Sequence, residues 1–232
     1  MAIKPHIVLL PGQLCDAALW APQIAALGDL AEMRVGDLTL DDSVAAMAER
    51  ILDSAPGRFG LCGLSLGGYV AFEIMRRAPE RVERLALMST SARPDTTERA
   101  VQRSRSVEAA RIGTFKGVTP RYLPGIVHPA HAADPGIADT VLQMTERVGR
   151  MAFERQQWAA LSRPDSREIL PMIDCPTLVV GGREDRVAPP ILQEEIAAGI
   201  AGARLCILGT CGHLAPLEQP AEVNRLLQEW LS

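Results

Sequence analysis

Short apolar runs recur along this chain, each followed by a turn and then by a stretch with helical spacing. That alternation constrains the fold more than any other feature. His6-Ile7-Val8-Leu9-Leu10 is apolar at consecutive positions and stops at Pro11-Gly12. A strand apolar on both faces must be covered on both faces, as in a parallel sheet between two helical layers. Glu32–Val35, Phe59–Cys62, Leu85–Met88, Thr177–Val180 and Leu205–Leu208 are the further strand candidates. Ala17–Leu27, Val44–Leu52, Tyr69–Arg77, Pro190–Ala198 and Ala221–Leu231 carry helical character between or after them, and Asp41-Asp42-Ser43 offers caps for the second. The fold class is therefore α/β, with a mostly parallel sheet of about six strands, flanking helices and right-handed crossovers.

The alternation lapses once. From about 92 to 166 there is helical periodicity but no convincing strand. The expected organisation is a core from 1–91 and 167–232, with residues 92–166 as an inserted helical segment.

A chain of 232 residues, 47% hydrophobic and 22% charged, suits one compact domain rather than a disordered, collagen-like or coiled-coil chain. No apolar run approaches the roughly 18–20 residues of a membrane span, so no membrane partner is expected. The formal charge of −4 offers no basic field for nucleic acid. Cysteines at 15, 62, 175, 206 and 211 lack Cys-x-x-Cys spacing, and only four histidines exist, so neither metal nor cofactor is expected. Met1-Ala2-Ile3-Lys4 runs straight into the first strand without an export-type apolar stretch; with free thiols, the expected compartment is the cytoplasm.

The chemistry concentrates at strand ends. Gly63-Leu64-Ser65-Leu66-Gly67 has the Gly-x-Ser-x-Gly pattern and lies between a strand candidate and a helix candidate. Such a turn is too sharp for large neighbours and lifts the serine hydroxyl clear of the sheet. A hydroxyl needs a base to become a nucleophile. His213, just after the last strand, is the leading candidate. His6 starts a strand and belongs at the opposite sheet edge, and His128 and His131 lie in the insertion. The base needs a carboxylate to hold its tautomer. Asp185 follows the Thr177–Val180 strand, with Glu184 beside it pointing elsewhere and Asp95 in reserve. Asp174 precedes its strand and is excluded. The order Ser65, Asp185, His213 is the order this arrangement takes in α/β folds.

With these motifs, and with Leu9-Leu10-Pro11-Gly12, Trp20-Ala21-Pro22-Gln23, Gly182-Arg183-Glu184-Asp185, Gly212-His213-Leu214 and Glu218-Gln219-Pro220, the chain resembles the α/β-hydrolase superfamily. It looks most like small lidded serine esterases, such as pimeloyl-carrier-protein methyl ester esterases and 3-oxoadipate enol-lactonases. The resemblance implies that 92–166 is a lid. It also implies an oxyanion hole from the backbone N–H groups of Gln13 and Leu66, the paired donors a tetrahedral intermediate needs. Relatives often carry His where Pro11 stands and begin with an antiparallel hairpin, so a trimmed six-stranded sheet is expected here.

The implied activity is hydrolysis of a carboxylic ester, lactone or thioester through an acyl-enzyme on Ser65. Carbon–carbon bond hydrolysis of a diketone is an alternative, although such relatives commonly have Trp where Leu214 stands. A non-catalytic binding protein is another. The substrate is a small acyl compound, and a carrier protein is a conceivable partner. Six basic residues between Arg99 and Arg121 face only Glu108, and 92–166 sums to +3 against −7 for the rest. A solvated helical face is the simpler reading, and attraction of an anionic substrate the sharper one. Phe153 and Trp158 are read as packing between lid and core. Cys15, Cys62 and Cys211 are read as buried packing residues rather than redox sensors.

Overall fold

A computed structural model describes residues 4–112 and 114–232. Met1, Ala2 and Ile3, on which the expectation about a leader rests, lie outside the described residues. Six strands form one sheet: β1 (His6–Leu10), β2 (Glu32–Val35), β3 (Phe59–Leu64), β4 (Val82–Met88), β5 (Thr177–Gly182) and β6 (Arg204–Leu208). Their spatial order is β2-β1-β3-β4-β5-β6, and every pairing is parallel. The parallel sheet of six strands is thus as expected.

Period-two alternation divides the core between the two faces. Val8, Leu10, Phe59, Leu61, Leu85, Leu87 and Val179 belong to one buried cluster, with side chains of α2 (Val44–Ser54), α3 (Leu66–Arg77) and α7 (Pro190–Gly199). Ile7, Leu9, Cys62, Leu64, Ala86, Met88, Leu178 and Val180 point the other way, toward α1 (Ala21–Leu27) and α9 (Pro220–Leu231). Ser43 caps α2 by accepting the Ala46 N–H at 3.2 Å, as its position in the sequence predicts.

Two helix starts differ from the sequence expectation by more than one residue. The single helix expected over Ala17–Leu27 is a 3₁₀ turn at Ala17–Trp20 followed by α1, because Pro22 at the start of α1 lacks an N–H and begins a new helix. α3 starts at Leu66 rather than Tyr69, so Gly67 and Gly68 are helical despite poor propensity. Packing explains them. A Cβ on Gly67 would lie 2.3 Å from the Leu10 carbonyl oxygen.

Between β4 and β5 the described residues form no strand. They contain α4 (Thr97–Ile112), α5 (Pro129–Ala132) and α6 (Pro135–Leu161), with a break in α6 at Gly149, whose φ of 71° and ψ of 179° are not helical. A short α8 (Ala215–Glu218) precedes α9. No helix among the described residues is long and apolar enough to cross a membrane.

Candidate active site

The sheet reverses its winding at β1, which has β2 on one side and β3 on the other. In open parallel sheets a crevice forms at such a point, beyond the carboxyl ends of the strands. The loops after β1, β3, β5 and β6 bring the predicted residues to this edge. The four non-glycine residues with positive φ among those described also follow strands here: Leu14, Ser65, Ser89 and Thr210 at 57°, 54°, 46° and 52°. Backbone strain of this kind concentrates where a site over-determines the chain.

Ser65 stands at the N-cap position of α3, in the strained turn, and its side chain makes no capping hydrogen bond. Its N–H donates to the Met88 carbonyl at 3.0 Å, and its own carbonyl accepts the Thr90 hydroxyl at 2.8 Å. A Cβ on Gly63 would meet the Gly67 carbonyl oxygen at 2.4 Å, which accounts for the small residues of the motif. The Leu66 N–H, in the first turn of α3, is one of the donors a helix leaves without an intrahelical acceptor.

Asp185 is buried in the turn after β5. Its Oδ1 accepts the N–H groups of Val187 and Ala188, both at 2.8 Å. That leaves Oδ2 aimed at His213 Nδ1, 2.8 Å away. His213 is 6% exposed, so this contact is shielded from water. Ser65, Gln13 and His213 line one cavity of about 150 Å³ whose walls are otherwise mostly apolar, Phe153 among them. A second lobe of about 190 Å³ shares Ser65 and Gln13 and adds Leu66. Among the residues that line the two lobes, Gln13 and Thr145 each carry a buried polar atom, Nε2 and Oγ1, without a protein partner. A groove of about 440 Å³ beside Asp16, Asp37 and Arg155 includes neither Ser65 nor His213.

The other candidates separate cleanly. Asp95 accepts from Arg103 at 2.6 Å and Arg163 at 2.8 Å, so both carboxylate oxygens are committed away from His213. Glu184 accepts the Cys211 N–H at 3.0 Å, bracing the loop that carries His213. His6 pairs with Glu32 at 3.0 Å at the opposite sheet edge. Burial pushes the Cys15 thiol up to about 12 and raises those of Cys62 and Cys211, in line with packing roles. Among the described residues no three His, Cys, Asp or Glu side chains gather as a metal-binding group.

Two expectations about the insertion need correction. Trp158 is only partly packed, with 40% of its surface exposed. Nor is the basic stretch a solvated face throughout. Arg103 is held by Asp95 and Gln157, Arg111 pairs with Glu154 at 2.8 Å, and Arg99 donates to the Val187 carbonyl at 2.7 Å. The helical spacing of these arginines says nothing of the acids and carbonyls that tertiary packing brings against them.

In the sequence Glu218 stands only as part of the Glu218-Gln219-Pro220 motif, with no role attached. It is the hub of the His213 loop. Its buried carboxylate accepts the Gly212 and Leu214 N–H groups, both at 2.9 Å, and the His128 N–H at 2.7 Å. His131 Nδ1 lies 3.1 Å away. The one signal for it was an acid within the otherwise uncharged run from Leu214 to Pro220.

Against this geometry, the model of the alpha/beta hydrolase family matches residues 7–226. The chain belongs to that family. Among its relatives, the pimeloyl-[acyl-carrier protein] methyl ester esterase of Neisseria meningitidis is 28% identical, over 77% of this chain and 70% of its own. RutD of Rhizobium rhizogenes, a carbamate hydrolase candidate, is 28% identical over 97% of this chain and 92% of its own. The solved structure of a thermophilic esterase from Thermogutta terrifontis superposes with a TM-score of 0.90 at 28% identity, covering 100% of this chain and 90% of that one. This alpha/beta hydrolase is thus similar, along nearly its whole length, to hydrolytic enzymes of the esterase type.

Proposed function

We propose that this alpha/beta hydrolase cleaves small carboxylic esters, lactones or thioesters through an acyl-enzyme on Ser65. The observation that carries the reading is the buried His213–Asp185 contact of 2.8 Å, on a histidine that shares a cavity with Ser65. Asp185 keeps the proton of His213 on Nδ1, so Nε2 is free to accept the Ser65 proton as Oγ attacks the acyl carbon. The N–H groups of Leu66 and Gln13 receive the negative charge that forms on the acyl oxygen. As the carbon–oxygen bond to the alcohol breaks, His213 returns its proton to the leaving oxygen. Water, deprotonated by the same histidine, then releases the acid.

Residues 92–166 act as the lid. Phe153 reaches the cavity from this segment, and Arg147 ties it to Asp16 in the loop after β1 at 2.6 Å. Relatives named for a carrier-protein ester make a carrier-borne acyl group one substrate to include. The buried Asp185–His213 contact beside Ser65 favours an enzyme over a binding protein, since recognition alone does not need a histidine whose proton is held on Nδ1.

The test is labelling with a fluorophosphonate, read by peptide mapping, beside a screen of short acyl esters, lactones and thioesters. Label on Ser65 alone, and turnover abolished in Ser65→Ala, support the reading. Label elsewhere, or undiminished turnover in Ser65→Ala, overturns it.

A further inference from the structure

The two lobes that meet at Ser65 differ in chemistry. The one containing His213 is walled by Leu64, Val118, Ile126, Val141, Phe153 and Leu214. The other is lined by Arg99, Arg103, Gln102, Ser106, Gln157 and Tyr69, and no carboxylate lines it. Behind this polar lobe, one acid faces three cations. Asp95 meets Arg103 at 2.6 Å, Arg163 at 2.8 Å and Arg99 at 4.0 Å. The Asp95 and Arg163 side chains are 2% and 5% exposed, whereas Arg103 and Arg99, at 13% and 38%, reach toward the lobe and carry the positive charge that Asp95 does not balance. Arg163 is fully engaged with Asp95, two carbonyls and the Tyr69 ring. Arg99 and Arg103 are the two that line the lobe, and a guanidinium has five N–H donors, more than their protein partners use.

Gln13 adds an independent observation. Its Nε2 is a buried donor without a protein acceptor, on a residue that lines both lobes. Such a donor is costly unless a ligand supplies the acceptor. An apolar chain entering this lobe would leave the remaining guanidinium donors of Arg99 and Arg103 without acceptors. A carboxylate would satisfy several at once and balance the charge, with the short, strong geometry guanidinium groups favour.

The mechanism sets the orientation. His213 must protonate the departing oxygen, so the alcohol belongs in the apolar lobe that contains His213. The acyl half then extends into the polar lobe, whose volume of about 190 Å³ suits a short chain. We propose that this chain acts on half-esters of short dicarboxylic acids, with the free carboxylate seated on Arg99 and Arg103. The proposal deepens the hydrolase reading and rests on it for the direction of the acyl chain.

Two probes of equal shape test it: monobenzyl glutarate, and the benzyl ester of glutaramic acid, in which a neutral amide replaces the carboxylate. Binding is measured by calorimetry on Ser65→Ala, which separates recognition from turnover. The half-ester is expected to bind about tenfold tighter or more, the scale of a charge-assisted hydrogen bond. Adding Arg99→Gln should remove that preference, because Arg99 is partly exposed and its loss spares the Asp95–Arg163 pair. Adding Arg105→Gln, which changes an exposed arginine outside the lobe, should leave it intact. Equal binding of the two probes, or a preference that survives Arg99→Gln, overturns the proposal. Wild-type turnover is read separately. Preferential binding with no hydrolysis of either probe would overturn the assigned chemistry while upholding the carboxylate site.

Discussion

Gln156 Oε1 accepts the Leu14 N–H at 3.0 Å, while its Nε2 donates to the Leu38 carbonyl at 3.1 Å. Gln156 comes from α6, is fully buried, and grips the residue next to Gln13. Leu14 has a φ of 57°, a conformation that needs support. The inserted segment therefore fastens the loop after β1. Gln156→Leu should leave two buried backbone groups unpaired and destabilise the fold by about 1–3 kcal/mol for each. It should also slow fluorophosphonate labelling of Ser65, because the proposed oxyanion donor at Gln13 loses its support. Chemical denaturation and labelling kinetics measure the two effects. An unchanged labelling rate would separate this contact from the chemistry.

Asp185→Asn probes tautomer control. The asparagine Oδ1 can still accept the Val187 and Ala188 N–H groups, so the turn should survive. Its NH₂ would then face His213 Nδ1, move the proton to Nε2 and block transfer from Ser65. A comparable triad loses roughly 10⁴-fold in kcat on this change. Steady-state hydrolysis of an activated ester, with circular dichroism to check the fold, gives the answer.

Glu218→Gln tests the hub of the His213 loop. A glutamine offers one acceptor oxygen where the loop uses two, and its NH₂ would confront a backbone N–H. Stability should fall by about 1–3 kcal/mol, the cost of leaving a buried donor unpaired. Activity should fall with it, as Gly212 and Leu214 flank the histidine. A thermal melt and an ester assay measure both.

Phe153 and Trp158 should behave differently. Phe153 lines the cavity with Ser65 and packs at a tilt against Phe115, 5.1 Å between ring centroids, whereas Trp158 is 40% exposed and lines neither lobe. Phe153→Ala should reorder the ranking of alcohol sizes among ester substrates. Trp158→Ala should leave the ranking unchanged. A panel of esters differing only in the alcohol makes the comparison.

The Asp95 cluster predicts an acid-sensitive share of stability. Burial alone would raise this carboxyl, but hydrogen bonds and charge from Arg163 and Arg103 hold it below the ordinary aspartate range. As pH falls, the unfolded chain takes up this proton before the folded one. The stabilisation is complete above the unfolded value of about 3.9 and is lost on descending through the lower folded value. Asp95→Asn should therefore be less stable than wild type at neutral pH, and the gap should close in strong acid. Urea midpoints across pH 2–7 test this.

Local chemistry made much of the molecule legible from the chain itself. Consecutive apolar positions at Ile7–Leu10 and Leu85–Met88 require cover on both faces, and the glycines around Ser65 require a turn of the kind found. The serine, the histidine after the last strand and the acid after β5 all follow from their places in that alternation, which put them at one edge of a parallel sheet. Tertiary structure alone decided what depends on partners distant in the chain. Asp95 was set apart from His213 by two arginines that meet it only when the helices pack. Glu218 became the support of the His213 loop because folding brought three N–H groups onto one buried carboxylate. Two arginines of the basic stretch, Arg99 and Arg103, became part of a cavity wall, while Arg105, Lys116 and Arg121 stayed on a solvated face. Periodicity reports which side of an element is apolar; which polar groups face one another across elements is set by packing, and there a displacement of an ångström or two decides whether a hydrogen bond exists.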